Sequence, residues 1–226
     1  MTASPLLLAI DAGSPRVSVA AGHGGEVLAE RAVEIERSSG QLLGLIGEVL
    51  EEAGARPADL GGVVALRGPG SFTGLRVGLA TALGLHQALG VPATALSTLL
   101  VLAARAGGNG NVVAVVDALR GEWSAQVFTV SDPVPRPLGD MELVPGTALS
   151  LLFGGERSGI LTGFGVSRLA ELPDWPREIR LVEGGPLAAT ALKLPLEWDS
   201  DLLTHPLYSR PPAISLPRAP RHKIVT

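Results

Sequence analysis

The sequence contains no cysteine, and charged and aromatic side chains are scarce. The absence of cysteine from all 226 residues excludes a disulfide framework, a thiolate zinc site and a cysteine nucleophile. Charged residues make up only 18% of the chain and the net charge is −4, which excludes a strong general attraction to nucleic acid or to an anionic membrane. Because 46% of the residues are hydrophobic, the chain can bury one large core or two modest ones, and a folded protein is predicted.

Long apolar runs and targeting signals are also lacking. The longest apolar stretch is interrupted by His86, Gln87 and Pro92, and it falls short of the roughly 20 residues that span a bilayer. The first ten residues hold a short apolar run with no basic residue before it, which argues against a secretory signal. These absences predict a soluble, cytoplasmic protein with no membrane partner.

The beginning of the sequence, "LLLAIDAGSPRVSVAAGHGGEVLAERAV", predicts an antiparallel meander. The apolar run at residues 6–10 is typical of a buried strand, residues 11–15 of a turn, and the alternation at residues 16–21 of a returning strand. A second turn leads to a third strand that ends near Val33. The meander therefore has an aspartate, Asp11, at its first bend.

The next segment, "RSSGQLLGLIGEVLEEAGARP", predicts an amphipathic helix. Ser38 or Ser39 can cap its first turn and Gly54 can end it. Gly44 and Gly47 lie inside the helix, where each costs on the order of 1 kcal/mol relative to alanine, so a packing reason is expected. The apolar side chains cover a wide arc, and some are therefore expected to be exposed in the monomer and to bind a partner: Leu42, Leu45, Ile46 and Val49.

Glycine is concentrated in "RGPGSFTGLRVGLATALGL", residues 67–85. This motif predicts a second helix that Ser71 or Thr73 caps and Gly90 ends. A Walker phosphate loop is excluded because leucine and arginine, not lysine and serine, follow the glycine at position 74. An anion site at the helix N-terminus and close helix packing remain as alternatives, and packing is favoured because small residues recur every four positions: Gly70, Gly74, Gly78 and Ala82.

The second half of the chain repeats the opening pattern in weaker form. "NVVAVVDALRGEWSAQVFTV" predicts a strand, a bend at Asp117 and a returning strand at residues 123–130. "GILTGFGVSRLAELP" predicts a strand, a turn at residues 163–165 and a short helix. We therefore expect a duplicated α/β unit, with residues 131–145 as an excursion on the second domain.

Four segments resemble the TsaB (YeaZ) family of the actin-like, sugar-kinase and Hsp70 ATPase superfamily: "GPGSFTGLRVGLATALGL", "LLAIDAGSPRVSVA", "VVDALRGEWSAQVF" and "HPLYSR". The resemblance implies α/β architecture with two actin-like (ASKHA, ribonuclease-H-like) domains, each a mixed sheet with flanking helices. It places the N-terminal domain at residues 1–105, a degenerate C-terminal domain at 106–205 and a tail at 206–226. No cofactor is implied.

The resemblance also implies a function and a set of partners. Family members act in making N6-threonylcarbamoyladenosine in tRNA, as the non-catalytic partner of the catalytic paralogue TsaD together with the ATPase TsaE, and tRNA is reached through the complex. A homodimer is left open beside the heterodimer. The first two helices are expected to meet their counterparts in TsaD, through the four apolar residues of the first helix and, on the second, Gly70, Gly74, Arg76, Gly78 and Ala82.

ATP-dependent and metal-dependent catalysis are two enzymatic alternatives to this role. Members of the superfamily bind the phosphates of ATP with two strand–turn–strand hairpins. In this sequence the residues of the first hairpin loop, Asp11, Gly13 and Ser14, are small enough for that role. The second, after Asp117, places bulky side chains where phosphates should pass, so both are interpreted as vestigial phosphate loops and a small actin-fold kinase is the alternative. Metal-dependent catalysis is not expected, because no two of the four histidines have ligand spacing: His23, His86, His205 and His222.

The end of the sequence offers a nucleic-acid alternative. The segment "SRPPAISLPRAPRHKIVT" collects cationic side chains among prolines and lacks helical periodicity. It could lie along a phosphate backbone, which makes a tRNA-binding module a further hypothesis. The simpler interpretation is a solvated terminus. The cationic side chains are Arg210, Arg218, Arg221, His222 and Lys223.

Overall fold

The structure, a computed structural model, describes residues 4–34, 41–131, 134–155, 158–172 and 175–210. The eleven strands of this part of the chain are β1 (Leu6–Asp11), β2 (Arg16–His23), β3 (Glu26–Glu34), β4 (Leu60–Leu66), β5 (Ala93–Leu96), β6 (Gly110–Asp117), β7 (Glu122–Val130), β8 (Arg136–Pro137), β9 (Glu142–Pro145), β10 (Gly159–Gly163) and β11 (Ile179–Glu183). Its four α-helices are α1 (Gln41–Glu52), α2 (Phe72–Leu89), α3 (Thr98–Ala106) and α4 (Ala188–Leu192).

The first sheet has the strand order β3-β2-β1-β4-β5. β1, β2 and β3 are antiparallel neighbours, which confirms the predicted meander, whereas β4 and β5 continue the sheet in parallel to β1. The parallel strands are joined by the helical crossovers α1 and α2, as parallel pairing requires. The proposed caps of the first helix, Ser38 and Ser39, lie outside the described residues.

β1 is buried on both faces and contributes side chains to two hydrophobic cores. Leu8 and Ile10 point into a core that α1 and α2 cover, whereas Leu7 and Ala9 point to the opposite face. On that face they share a core with α3, α4 and the second sheet. The alternation of side chains along a strand explains why a continuous apolar run fills two cores at once.

The second sheet has the order β11-β10-β6-β7-β8, with β9 also paired to β7. β6 and β7 are antiparallel and β10 and β11 run parallel to β6, so the second sheet repeats the strand arrangement of the first. This confirms the predicted duplication. The excursion at residues 131–145 contributes the short edge strands β8 and β9, which extend the sheet beyond β7.

The chain crosses between the sheets twice. α3 packs on the second sheet, although its residues fall in the predicted N-terminal range. α4 and the turn at Ser200–Thr204 pack back on the first sheet. The domain limits remain a prediction, and below "first lobe" means the first sheet with α1 and α2, and "second lobe" means the second sheet with its turns. None of the helices in the described ranges is long and apolar enough to cross a membrane.

Candidate functional site

A cavity of about 1130 Å³ opens between the two lobes. The first lobe contributes the β1–β2 turn and the start of α2. The second contributes the ends of β6 and β11 and the turn after β10. The two predicted phosphate loops therefore face the same cleft, although their surroundings differ.

Asp11 closes the first loop on itself. Its Oδ1 accepts hydrogen bonds from the N–H groups of Gly13 (3.1 Å) and Ser14 (3.2 Å). The carboxyl is fully buried, and this burial raises the pKa of Asp11 to about 6 in spite of the hydrogen bonds. Oδ2 has no hydrogen-bond partner in the part of the chain that is described. The aspartate thus caps its own turn but keeps one unsatisfied oxygen.

The glycine stripe of α2 packs on this same turn. The N–H of Ser71 donates to Gly13 O (2.8 Å), and the Ser71 side chain caps the helix by accepting from Gly74 N–H (3.3 Å). A Cβ at position 70 would lie 2.5 Å from Gly13 O, one at 74 would overlap Ala12 O, and one at 78 would lie 3.0 Å from Ala12 Cβ. Close packing was therefore the right explanation for the glycines.

The backbone that faces these glycines belongs to the chain itself, so close packing within the chain accounts for them without a partner. Gly70 and Gly74 contact the β1–β2 turn, Gly78 is buried against it, and Ala82 is fully buried in the core of the first lobe. The spacing of small residues shows that something approaches the helix closely. It does not show whether the approaching backbone is the chain's own.

The four apolar residues of α1 were expected to be partly exposed, and this expectation is wrong. Each is at most 6% exposed and packs in the core of the first lobe: Leu42, Leu45, Ile46 and Val49. α1 lies across β2 and β3, and the sheet is wide enough to cover the whole apolar arc. The exposed face of the helix instead carries Leu43, which is 65% exposed, with Gly44 and Gly47. A Cβ at either glycine would lie more than 4 Å from every other side chain in the described part of the chain.

The second loop does not obstruct the cleft in the expected way. Leu119 and Arg120 both adopt left-handed backbone conformations (φ 66° and 58°), and Leu119 is 70% exposed. Neither residue lines the cavity. The wall is formed instead by Asp117, whose Oδ2 pairs with Arg168 at 2.6 Å, while the Arg168 guanidinium lies 4.8 Å from the centre of the Trp123 ring.

A second carboxylate occupies the neighbouring wall of the cleft. Glu183 accepts hydrogen bonds from the N–H of Gly165 and from the N–H (3.2 Å) and hydroxyl (2.7 Å) of Ser167. Partial burial raises the pKa of Glu183, but these hydrogen bonds and the charge of Arg168 together hold it below its usual value. The carboxylate therefore stays charged and occupies donors that an anionic ligand would need. Sequence reasoning missed Glu183, since only the fold brings the end of β11 beside residues 165–167.

These contacts bear on whether the cleft could bind the nucleotide that an actin-like fold implies. On the second-lobe wall, the N–H and hydroxyl donors of residues 165–167 are bound to Glu183, and Arg168 is bound to Asp117. The residues present therefore do not fit a phosphate chain held between two loops. Among the described residues there is also no group of three or more His, Asp or Glu that could hold a metal ion.

The three histidines of the described residues each pair with the backbone. Nδ1 of His23 lies 2.8 Å from Ser4 O, and Nδ1 of His86 lies 2.6 Å from Val91 O. Nδ1 of His205 lies 2.7 Å from Asp201 O. All three rings therefore lie within hydrogen-bond distance of backbone carbonyls, whereas His222 lies outside the described residues.

Arg76, expected at a partner surface, lies on the exposed side of α2 in a small aromatic cluster. Its guanidinium lies 4.0 Å over the ring of Phe72, and its Nε donates to the Tyr208 hydroxyl (3.2 Å). The rings of Phe72 and Tyr208 are 5.0 Å apart. Phe72 is 43% exposed, so the cluster presents an apolar edge and a cation at the start of α2.

The fold and the cleft define the class of this protein. Two mixed sheets related by duplication, with a cleft between them, form an actin-like (ASKHA) α/β protein, as predicted. YeaZ from Pseudomonas aeruginosa has the same fold, with a TM-score of 0.71 and 27% identity over 88% of this chain and 91% of that chain. A family model described as "TsaD: tRNA N6-adenosine threonylcarbamoyltransferase" matches residues 32–132.

Curated relatives give the family. Escherichia coli "tRNA threonylcarbamoyladenosine biosynthesis protein TsaB" is 34% identical over 119 residues, which are 51% of this chain and 52% of that protein. Mycobacterium tuberculosis "Uncharacterized protein Rv3421c" is 32% identical over 161 residues, covering 68% of this chain and 74% of that protein. The chain belongs to the TsaB (YeaZ) family. It spans about half the length of the Escherichia coli and Mycobacterium leprae relatives that it matches (52% and 55%).

Proposed function

We propose that this chain is a non-catalytic activating subunit in the biosynthesis of N6-threonylcarbamoyladenosine in tRNA, and that it acts by binding a TsaD-like catalytic paralogue. Membership of the TsaB family supports the pathway, since the Escherichia coli relative is named for it. The observation that carries the proposed role is the exposed face of α1. This face combines a large exposed leucine with two bare glycines.

The exposed face of α1 has the properties of a helix-docking surface. Gly44 and Gly47 each cost on the order of 1 kcal/mol of helix stability, and neither packs against another of the described residues. A second helix could approach the backbone closely at both glycines, because a Cβ there would contact none of the residues that the structure describes. Leu43 lies on the same exposed face, and its burial by a partner is worth about 1.5–3 kcal/mol.

The start of α2 extends the proposed docking surface. α1 and α2 cover the same face of the first sheet, and both contribute to the same core. The half-exposed Phe72 ring and the Arg76 guanidinium supply the apolar edge and cation that are enriched at protein interfaces. Arg76 therefore stays in the proposal as a partner-binding residue, whereas Gly78 and Ala82 are buried within the first lobe and do not.

The cleft supports the non-catalytic half of the proposal. Asp117 and Arg168 neutralise one another and Glu183 holds the nearby donors, so the walls have little left with which to bind a triphosphate. These same contacts count against the kinase alternative. In isothermal titration calorimetry with magnesium, we expect no ATP affinity tighter than millimolar for the isolated chain, and micromolar binding would favour the kinase instead.

The remaining partners follow from the family. We propose that a TsaE-like ATPase and tRNA are reached through the paralogue and that the complex acts in the cytoplasm. The tRNA-binding alternative rests mainly on residues 211–226, which lie outside the described residues. A homodimer that uses α1 would compete with the heterodimer for the same face.

Mixing the chain with its TsaD-like paralogue and weighing the complex by light scattering tests the proposal. Leu43→Asp should weaken the complex at least tenfold and lower tRNA modification in the reconstituted system, because a charge would replace a leucine that the paralogue buries on binding. The matched control is Leu151→Asp, since Leu151 is 74% exposed on the second lobe. Equal affinity for both variants, or modification by this chain without the paralogue, would contradict the proposal.

A further inference from the structure

The last described residues of the chain run from one lobe to the other. The backbone N–H of Leu207 donates to Arg67 O (2.7 Å), which joins the segment to the end of β4 in the first lobe. The Tyr208 ring then packs on Phe72, and its hydroxyl accepts from Arg76 Nε (3.2 Å). Three successive contacts therefore fix residues 207 and 208 to β4 and to the start of α2.

Two residues later the same segment is bound to the second lobe. The Arg210 guanidinium donates to Ala118 O (3.1 Å) and pairs with the Glu122 carboxylate. The two charged side chains are only 32% and 36% exposed, so solvent screens this pair less than a surface pair. Both acceptors belong to the β6–β7 turn, residues 118–122.

This turn is strained, and part of what holds it comes from outside the turn. Leu119 and Arg120 both have positive φ, a conformation that costs of order 1–3 kcal/mol for residues other than glycine. Within the turn, Asp117 Oδ1 accepts from Leu119 N–H (2.7 Å) and Ala118 N–H donates to Glu122 O (2.9 Å). Arg210 reaches both ends of the strained stretch, at Ala118 and at Glu122, and so holds it closed.

We propose that residues 207–210 form an inter-lobe strap that couples the first turn of α2 to the β6–β7 turn. A change at either end alters the stability of the other, because the strap is short and is fixed by side chains on both sides. Where the proposed docking of a paralogue on α2 also holds, the strap transmits that event across the cleft. The part of the proposal that concerns coupling within the chain does not depend on the paralogue.

Hydrogen exchange of the isolated, full-length chain tests the coupling. Arg210→Gln should speed exchange of the Ala118 and Glu122 amides about tenfold. Tyr208→Ala, which changes only the first-lobe end, should speed the same two amides at least threefold. Arg177→Gln, at an exposed arginine of the second lobe, is the matched control and should leave them within twofold of the unsubstituted chain.

The reciprocal variant makes the test decisive. Glu122→Gln, in the second lobe, should speed exchange of the Leu207 amide, which is bonded to Arg67 O in the first lobe. If Tyr208→Ala leaves the turn unchanged and Glu122→Gln leaves Leu207 unchanged, the contacts are local and the strap is disproved. Effects that cross the cleft in both directions would establish it.

A last experiment tests the strap separately from the proposed function. Added TsaD-like paralogue should slow exchange at residues 118–122 in the unsubstituted chain and much less in Arg210→Gln. If the paralogue binds without affecting the turn, transmission fails while docking stands. If it does not bind at all, the proposed function fails, and the measurements on the isolated chain still decide whether the strap exists.

Discussion

Asp11 ends β1 in the first lobe and Asp117 ends β6 in the second, and each accepts a hydrogen bond from a backbone N–H two residues later. Beyond this shared turn their surroundings differ. Asp11 is fully buried, with one oxygen unpaired, whereas Asp117 is partly exposed and paired with Arg168. A strand–aspartate–turn pattern thus determines the local conformation of the backbone. The element packed on the turn determines whether the aspartate carboxyl is buried or paired with a charge.

That element is α2 in the first lobe and the short helical turn at Val166–Glu171 in the second. The glycines of α2 let its backbone lie directly on Ala12 and Gly13, which excludes water from Asp11. The helical turn at Val166–Glu171 contains no glycine, and its Arg168 places a positive charge beside Asp117. Duplication therefore preserved the topology but not the environment of the bend.

The largest effect is expected from breaking the close contact in the first lobe. Gly74→Ala would place a Cβ against Ala12 O, so we expect a loss of about 3 kcal/mol in the free energy of unfolding. Gly84 lies on the same helix, is exposed and has open space around a Cβ. Gly84→Ala should therefore stabilise the chain by about 0.5–1 kcal/mol. Urea denaturation of both variants checks the pair, and equal effects would show that the stripe is not in contact.

The next effect concerns the buried carboxyl. The pKa of Asp11 is about 6 in the folded chain, above its ordinary value of 3.8, so ionisation at pH 7 opposes folding. The protonated Asp11 carboxyl therefore contributes its full share of the free energy of unfolding below pH 3.8, its pKa in the unfolded chain. This contribution is lost as the pH rises through 6, the pKa in the folded chain. Asp11→Asn keeps an oxygen for Gly13 and Ser14 and removes the charge, and it should stabilise the chain at pH 7.5 by on the order of 1–3 kcal/mol.

Thermal melts at pH 7.5 and pH 5 measure this difference. Between these values the unsubstituted chain should gain stability on acidification relative to Asp11→Asn, which lacks the titrating group. Asp140→Asn, at an exposed position, serves as the control and should follow the unsubstituted chain. A melting temperature of Asp11→Asn that is lower at both pH values would mean that the ionised carboxylate is needed, for example by a bound cation.

Much of the fold of the two lobes could be predicted from the sequence, because the strands, bends and helix ends depend on short local patterns. The meander, the bends at Asp11 and Asp117, the Ser71 cap and the end of α2 at Gly90 follow from patterns within a few residues, and the structure confirms them. The strands at the excursion after β7 did not follow, since two- and four-residue edge strands have no period of their own.

The site was predicted less well, for a physical reason. A helical pattern tells which residues share a face but not what covers that face, so Leu45 was among the residues of which some were expected to be exposed, whereas Leu45 is buried and Leu43 is exposed. Pairs such as Glu183 with Ser167 and Arg210 with Glu122 join residues that are 16 and 88 positions apart. Only the assembled sheets bring them together.

The smallest effect is expected at the second bend. Asp117→Asn removes the charge that pairs with Arg168, but both side chains are partly exposed and such pairs are worth at most about 1 kcal/mol. The asparagine oxygen can still accept from Leu119 N–H, so the turn should keep its conformation. We expect a change in unfolding free energy below about 1 kcal/mol in urea denaturation and nearly unchanged tRNA modification with the paralogue. The opposite ranking, with Asp117→Asn inactive in an assembled complex and Asp11→Asn without effect on stability, would locate chemistry in the second lobe of this chain.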